Sequence, residues 1–233
     1  MTARYAIYYA PDAGSTLWAK ASAWLGRDAS AGRPAVRPTL PALDGLDAQA
    51  LTADPRHYGF HATLKAPFEL AAGRDEAELL VAARAFAQHM TPFEATIGPA
   101  ALGRFLAFRL QDGEAEMQAL HAACVRDFEP FRAPLSDADI ARRRRAPLTP
   151  EQDERLLAWG YPYVFDDFRF HMTLTGAIAD DAVRARVLEA LRSHFAAETG
   201  PHRFDAIAVF RQADRHAAFE ILERVAFAAN ALV

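Results

Sequence analysis

Two five-residue stretches share one pattern: Phe60-His61-Ala62-Thr63-Leu64 and Phe170-His171-Met172-Thr173-Leu174. On a β-strand, alternate side chains share a face. His61 and Thr63 therefore lie together on one side while Phe60, Ala62 and Leu64 turn toward a core, and the second stretch does the same with His171 and Thr173. Splitting a phosphoester by in-line displacement takes a base for the attacking oxygen and an acid for the leaving one. Imidazole serves either role near neutral pH. Two of them facing each other across a groove form an acid–base couple, and two threonine hydroxyls beside them can donate to the oxygens on which charge grows. These four residues are the expected catalytic set. The chemistry requires no metal or other cofactor.

Neighbouring residues extend the set. Lys65 lies two positions beyond Thr63, Arg169 two before His171 and Thr175 two beyond Thr173, all candidate anion contacts by alternation. Tyr58, Tyr161 and Tyr163 precede the motifs and are expected to form a wall or lid over the substrate. Tyr5 and Tyr9 suit core packing better than the cleft. The run Arg142-Arg143-Arg144-Arg145 reads either as a solvated helix face or as a source of arginines for a second phosphate, with Arg143 and Arg132 the candidates.

The elements that must position these residues follow from periodicity and punctuation. A strand is expected over 4–10 and a helix over 14–25, then a Pro- and Gly-containing insert, 27–56, with a short helix near 47–52. The first His-x-Thr strand covers 59–66 and stops at Pro67. A helix over 75–90 and strands over 92–98 and 103–110 follow, then a helix over 114–128. A second insert, 129–166, holds short helices around 136–145 and 150–158. The second His-x-Thr strand covers 167–176, ahead of a helix at 181–197 and strands at 203–211 and 216–227. The order strand, helix, insert, His-x-Thr strand, helix recurs, and the two histidines stand 110 residues apart. The expected fold is α+β: one domain of two pseudo-symmetric lobes, roughly 1–100 and 101–233, each an antiparallel sheet with helices outside, flanking a central cleft.

Composition narrows the partners. The chain has 233 residues, 52% hydrophobic and 24% charged, with a formal net charge of −4. That balance lacks the basic footprint of a protein that grips long nucleic acid and favours a small phosphorylated substrate. The single cysteine, Cys124, cannot form an internal disulfide and reads as buried and inert. No apolar run is long enough for a membrane span or a signal-peptide core, so a cytoplasmic, monomeric protein is expected.

The paired motifs resemble those of the two-histidine (2H) phosphoesterase superfamily, which includes RNA 2′,3′-cyclic phosphodiesterases of the bacterial RNA 2′-5′ ligase type and plant and fungal cyclic-nucleotide phosphodiesterases. That resemblance implies two pseudo-symmetric α+β lobes around a cleft. The longer stretches Tyr58-Gly59-Phe60-His61-Ala62-Thr63-Leu64-Lys65-Ala66-Pro67-Phe68 and Trp159-Gly160-Tyr161-Pro162-Tyr163, with Phe170 through Gly176, resemble a bacterial branch named for phosphonate metabolism. The branch implies a cyclic phosphate such as 5-phosphoribosyl 1,2-cyclic phosphate as substrate. The alternatives are RNA ends bearing 2′,3′-cyclic phosphate or 2′-5′ linkages, a protein that binds cyclic phosphates without turnover, and a metal-dependent phosphatase. The last is disfavoured because no carboxylate cluster accompanies the motifs.

Overall fold

Strands rich in β-branched and aromatic residues alternate with helices that carry explicit start and stop signals. In the computed structural model, which describes residues 2–228, β1 (Arg4–Tyr9) leads into α1 (Thr16–Leu25). That helix is capped by the Ser15 hydroxyl and ended by Gly26 at φ 76°, a left-handed conformation that glycine adopts without steric cost. The first insert holds a small hairpin, β2 (Arg27–Asp28) with β3 (Arg33–Pro34), and two short helices, α2 (Ala48–Leu51) and α3 (Ala53–Tyr58). Next come β4 (Ala62–Glu69), α4 (Glu76–Gln88), β5 (Phe93–Leu102), β6 (Phe105–Leu110) and α5 (Glu114–Asp127). The second insert carries α6 (Asp137–Arg143) and α7 (Pro150–Trp159). The chain continues through β7 (Met172–Thr173), α8 (Asp181–His194), β8 (Gly200–Phe204), β9 (Ala206–Gln212) and β10 (Phe219–Ala226). Capping boxes start α4, from Asp75 and Glu78, and α7, from Thr149 and Gln152.

Eight strands form one antiparallel sheet in the order β10-β9-β1-β4-β7-β6-β5-β8. The two His-x-Thr strands, β4 and β7, are its central neighbours. On one side lie β1, β9 and β10; on the other β6, β5 and β8. Helix α4 packs on β9 and β10, α5 on β4, and α8 on β5 and β6. The core near the centre joins Phe60, Phe108 and Phe195, with Phe108 edge-on to both other rings at 5.9 and 5.1 Å. Each such buried ring contributes about 1.5–3 kcal/mol.

The expected α+β class and the antiparallel sheet with helices stand, with three corrections. A boundary near residue 100 does not divide the sheet: β5 lies beside β6 and β8, while β9 and β10 lie beside β1. Strand β4 does not stop at Pro67. It runs on to Glu69 because a register shift between Tyr5 and Ile7 of its partner lets the proline, which has no N–H to offer, sit at the irregularity. Strand β7 is far shorter than the expected 167–176. Beyond Thr173 the backbone N–H groups of Leu174 and Thr175 both donate to the Leu106 carbonyl, so the regular ladder ends there.

Candidate active site

Strands β4 and β7 meet through one antiparallel pair, Ala62 opposite Met172. That register places His61 across from Thr173 and Thr63 across from His171, so the histidines occupy diagonal positions, typically about 7–8 Å apart. All four side chains line a single cleft of about 450 Å³. Ala62 and Met172, in antiphase, are buried on the other face.

The two histidines are held alike. His61 Nδ1 lies 3.0 Å from the Gly59 carbonyl oxygen, and His171 Nδ1 lies 2.6 Å from that of Arg169, in each case two residues upstream. A carbonyl can only accept, so both Nδ1 atoms carry the proton in the neutral ring. Each Nε2 is thereby left with its lone pair for other partners. His61 Nε2 has the Thr63 hydroxyl 3.4 Å away. The Tyr8 ring stacks on His61 with centroids 3.9 Å apart, while His171 meets the Phe105 ring obliquely at 5.6 Å. Burial lowers the pKa of His61 to about 4 against the pull of the Gly59 hydrogen bond, and the nearby His171 lowers it further. Burial also lowers that of His171, opposed by the Arg169 carbonyl and aided by the positive charge of Arg109.

Tyr58, Tyr161 and Arg143 line the cleft, joined by Arg4, Arg142 and Tyr8. The Arg143 guanidinium lies 4.7 Å from the centre of the Tyr161 ring. Tyr163 stands edge-on to Tyr161 at 5.5 Å and faces an adjacent apolar hollow. Sequence reasoning missed Arg4 and Tyr8, although a signal existed: residues 4 and 8 share a face of β1, the one opposite Tyr5 and Tyr9. Tyr5 and Tyr9 are occupied elsewhere, their hydroxyls against Glu76 and His202. Burial holds Tyr8 as a neutral phenol by pushing its pKa well up.

Four expected anion contacts fail to reach the cleft. Lys65 should share a face with Thr63, but β1 pairs Tyr8 with Thr63 and Ile7 with Lys65, leaving Leu64 as an extra, bulged residue. The bulge reverses the alternation, and Lys65, 3% exposed, donates to the Val125 carbonyl and pairs with Glu129 at 2.7 Å. Thr175 is displaced in the same way in the second copy, where its hydroxyl accepts from the Leu106 N–H. Arg132 is consumed by Glu129 and by the Ala133 and Ala158 carbonyls. The Arg169 side chain donates to the Asp166 and Phe168 carbonyls, so its contribution to the site is the main-chain oxygen that orients His171. Cys124 is fully buried with its thiol pKa pushed well up, as expected of an inert residue. No helix among the described residues is long and apolar enough to cross a membrane.

A family model described as "Protein of unknown function (DUF1045)" matches residues 63–220, a span that takes in Thr63 and the whole second motif. The protein named Ribose 1,5-bisphosphate phosphokinase PhnN from Janthinobacterium sp. (strain Marseille) is 40% identical over 232 residues, covering 96% of this chain and 51% of that protein. One of the same name from Laribacter hongkongensis (strain HLHK9) is 34% identical over 222 residues, again covering 95% of this chain and 51% of its own length. The chain thus spans about half the length of these curated relatives. It belongs to the DUF1045 family.

Proposed function

We propose that this chain is a metal-independent phosphoesterase of the two-histidine type that opens a small cyclic phosphate, with 5-phosphoribosyl 1,2-cyclic phosphate the leading candidate. One observation carries the reading. Two histidines are fixed through Nδ1 by a carbonyl two residues upstream, and both line one cleft together with two threonines and three arginines. No carboxylate lines that cleft among the described residues, so its electrostatics suit an anionic substrate.

His61, kept neutral by burial beneath Tyr8, is the base: its Nε2 takes a proton from water as the water oxygen bonds to phosphorus. His171 is the acid, its Nε2–H passing a proton to the ribose O2 as the P–O2 bond breaks. Bound phosphate raises the pKa of the adjacent imidazole and so favours the protonated form there. Thr63 and Thr173 donate to the non-bridging oxygens. The product is ribose 1,5-bisphosphate, and solvent exchange returns both rings to their starting states.

The relatives' name supports the substrate. Ribose 1,5-bisphosphate is the compound in that name, and ring opening by this chain would supply it. A phosphate-cradling loop ends in Gly-Lys-Ser or Gly-Lys-Thr. This chain has only Lys20 and Lys65, preceded by Ala19 and Leu64. We therefore place the phosphokinase chemistry of those relatives in the half of their length that this chain does not span.

Incubation with 5-phosphoribosyl 1,2-cyclic phosphate in EDTA, followed by phosphorus NMR, tests the proposal. The five-membered-ring diester signal should give way to a phosphomonoester. An unchanged spectrum beside active cleavage of RNA 2′,3′-cyclic ends would replace this substrate with the RNA one. Binding without turnover of either would make the chain a binder.

A further inference from the structure

The histidine cleft continues past Ala66 and Pro67 into a wall of four arginines, Arg4, Arg142, Arg143 and Arg215. Two are neutralised locally. Arg142 pairs with Asp139 at 2.7 Å, and Arg215 pairs with Asp139 at 2.8 Å and Glu69 at 3.0 Å. Arg4 and Arg143 have no carboxylate within 4.0 Å among the described residues. Arg143 rests on Tyr161. Arg4 is aimed rather than neutralised: its Nε donates at 2.7 Å to the Oε1 of Gln212, which is 0% exposed and itself held by the Ala217 carbonyl. Its guanidinium also lies 5.8 Å from the centre of the Phe219 ring, on which Tyr58 stacks. Burial and the neighbouring charges of Arg215 and Arg142 lower its pKa.

We propose that Arg4 and Arg143 form a seat for a second, terminal phosphomonoester, so the chain selects cyclic phosphates that carry one and discriminates against the bare ring. Two half-buried guanidiniums on one wall sharing a tetrahedral dianion explain why these two arginines remain unpaired where two others are neutralised. Tyr8 and Tyr58 border the same space. The seat deepens the phosphoesterase reading, and its kinetic test rests on that reading.

Two measurements separate the seat from the chemistry. In the first, calorimetric titration with ribose 5-phosphate should give an affinity that Arg143→Gln weakens about tenfold to a hundredfold. Arg145→Gln, outside the cleft, serves as the control and should leave it unchanged. In the second, kcat/KM is compared for 5-phosphoribosyl 1,2-cyclic phosphate and ribose 1,2-cyclic phosphate. The wild type should favour the former by about 10² or more, and Arg143→Gln and Arg4→Gln should each compress that ratio. Arg143 stands at the end of α6, so its variant retains the fold even if Arg4→Gln does not. A wild-type ratio near one, or a ribose 5-phosphate affinity indifferent to Arg143→Gln, overturns the seat while leaving the phosphoesterase reading intact. Failure to open either ring sinks that reading, and the titration then decides the seat by itself.

Discussion

The two His-x-Thr copies agree in what orients the histidine and differ in what covers it. In both, the ring donates to the carbonyl two residues upstream, and in both a backbone irregularity after the threonine turns the next alternate residue, Lys65 or Thr175, away from the cleft. The covers come from equivalent neighbouring strands. Tyr8 of β1 pairs with Thr63, whereas Ala107 of β6 pairs with Thr173. A phenol ring therefore lies flat on His61, and among the described residues the aromatic ring beside His171 is the oblique Phe105. Repetition of the local frame preserves the tautomer; the exchange of tyrosine for alanine makes the surroundings of the two imidazoles unequal, the asymmetry on which the proposed division into base and acid rests.

The comparison can be broken most forcefully at the histidines. His61→Ala and His171→Ala should each lower kcat by about 10²–10⁴-fold, with the double variant little worse than either single one, because the two act as a unit. Full additivity in steady-state rates would mean that they serve separate steps. The threonines come next. Thr63→Val and Thr173→Val should each cost about 10²-fold in kcat with a smaller change in KM, and equal losses would show that the oxygen-binding half of each copy remained equivalent.

The pH profile of kcat/KM sharpens the asymmetry. The base must be neutral, which holds above a pKa of about 4 for His61, and the acid must be protonated, which holds below the lowered pKa of His171. The free enzyme should therefore be most active above about pH 4 and lose kcat/KM as pH rises through the lowered pKa of His171, below the ordinary histidine value. An optimum above pH 8 would contradict it. Removing the cover with Tyr8→Leu should move the acid limb upward toward the ordinary histidine value, with a rate loss of about tenfold, while Tyr8→Phe keeps the stack and the limb. The smallest effect on turnover belongs to Lys65→Met. It should lower stability by about 1–3 kcal/mol in denaturant unfolding, since Glu129 loses a buried partner, and leave kcat within about threefold.

Much of this arrangement was legible in the residues. Period-2 alternation sufficed to put His61, Thr63, His171 and Thr173 on shared faces, and the helices expected over 14–25, 75–90 and 150–158 end within two residues of the observed ones. Alternation failed one step later because a bulge depends on the partner strand. Nothing in Leu64-Lys65 announces that Leu64 will be left opposite no residue of β1. Arg132 and Arg169 were misplaced for a related reason: each is claimed by carbonyls or carboxylates of nearby chain, and those are assembled only in three dimensions. The sheet order was hidden too, since β9 and β10 return from the far end of the chain to flank β1.

The central claim, that one histidine supplies the base and the other the acid at a single phosphorus, is tested most directly by changing the leaving atom. A cyclic substrate whose scissile bridging oxygen is replaced by sulfur has a leaving group that needs no protonation. His171→Ala should recover to near the wild-type rate on that substrate, and His61→Ala should remain impaired by about 10²-fold or more. If sulfur rescues neither variant, or both equally, the division of labour between the two copies is wrong.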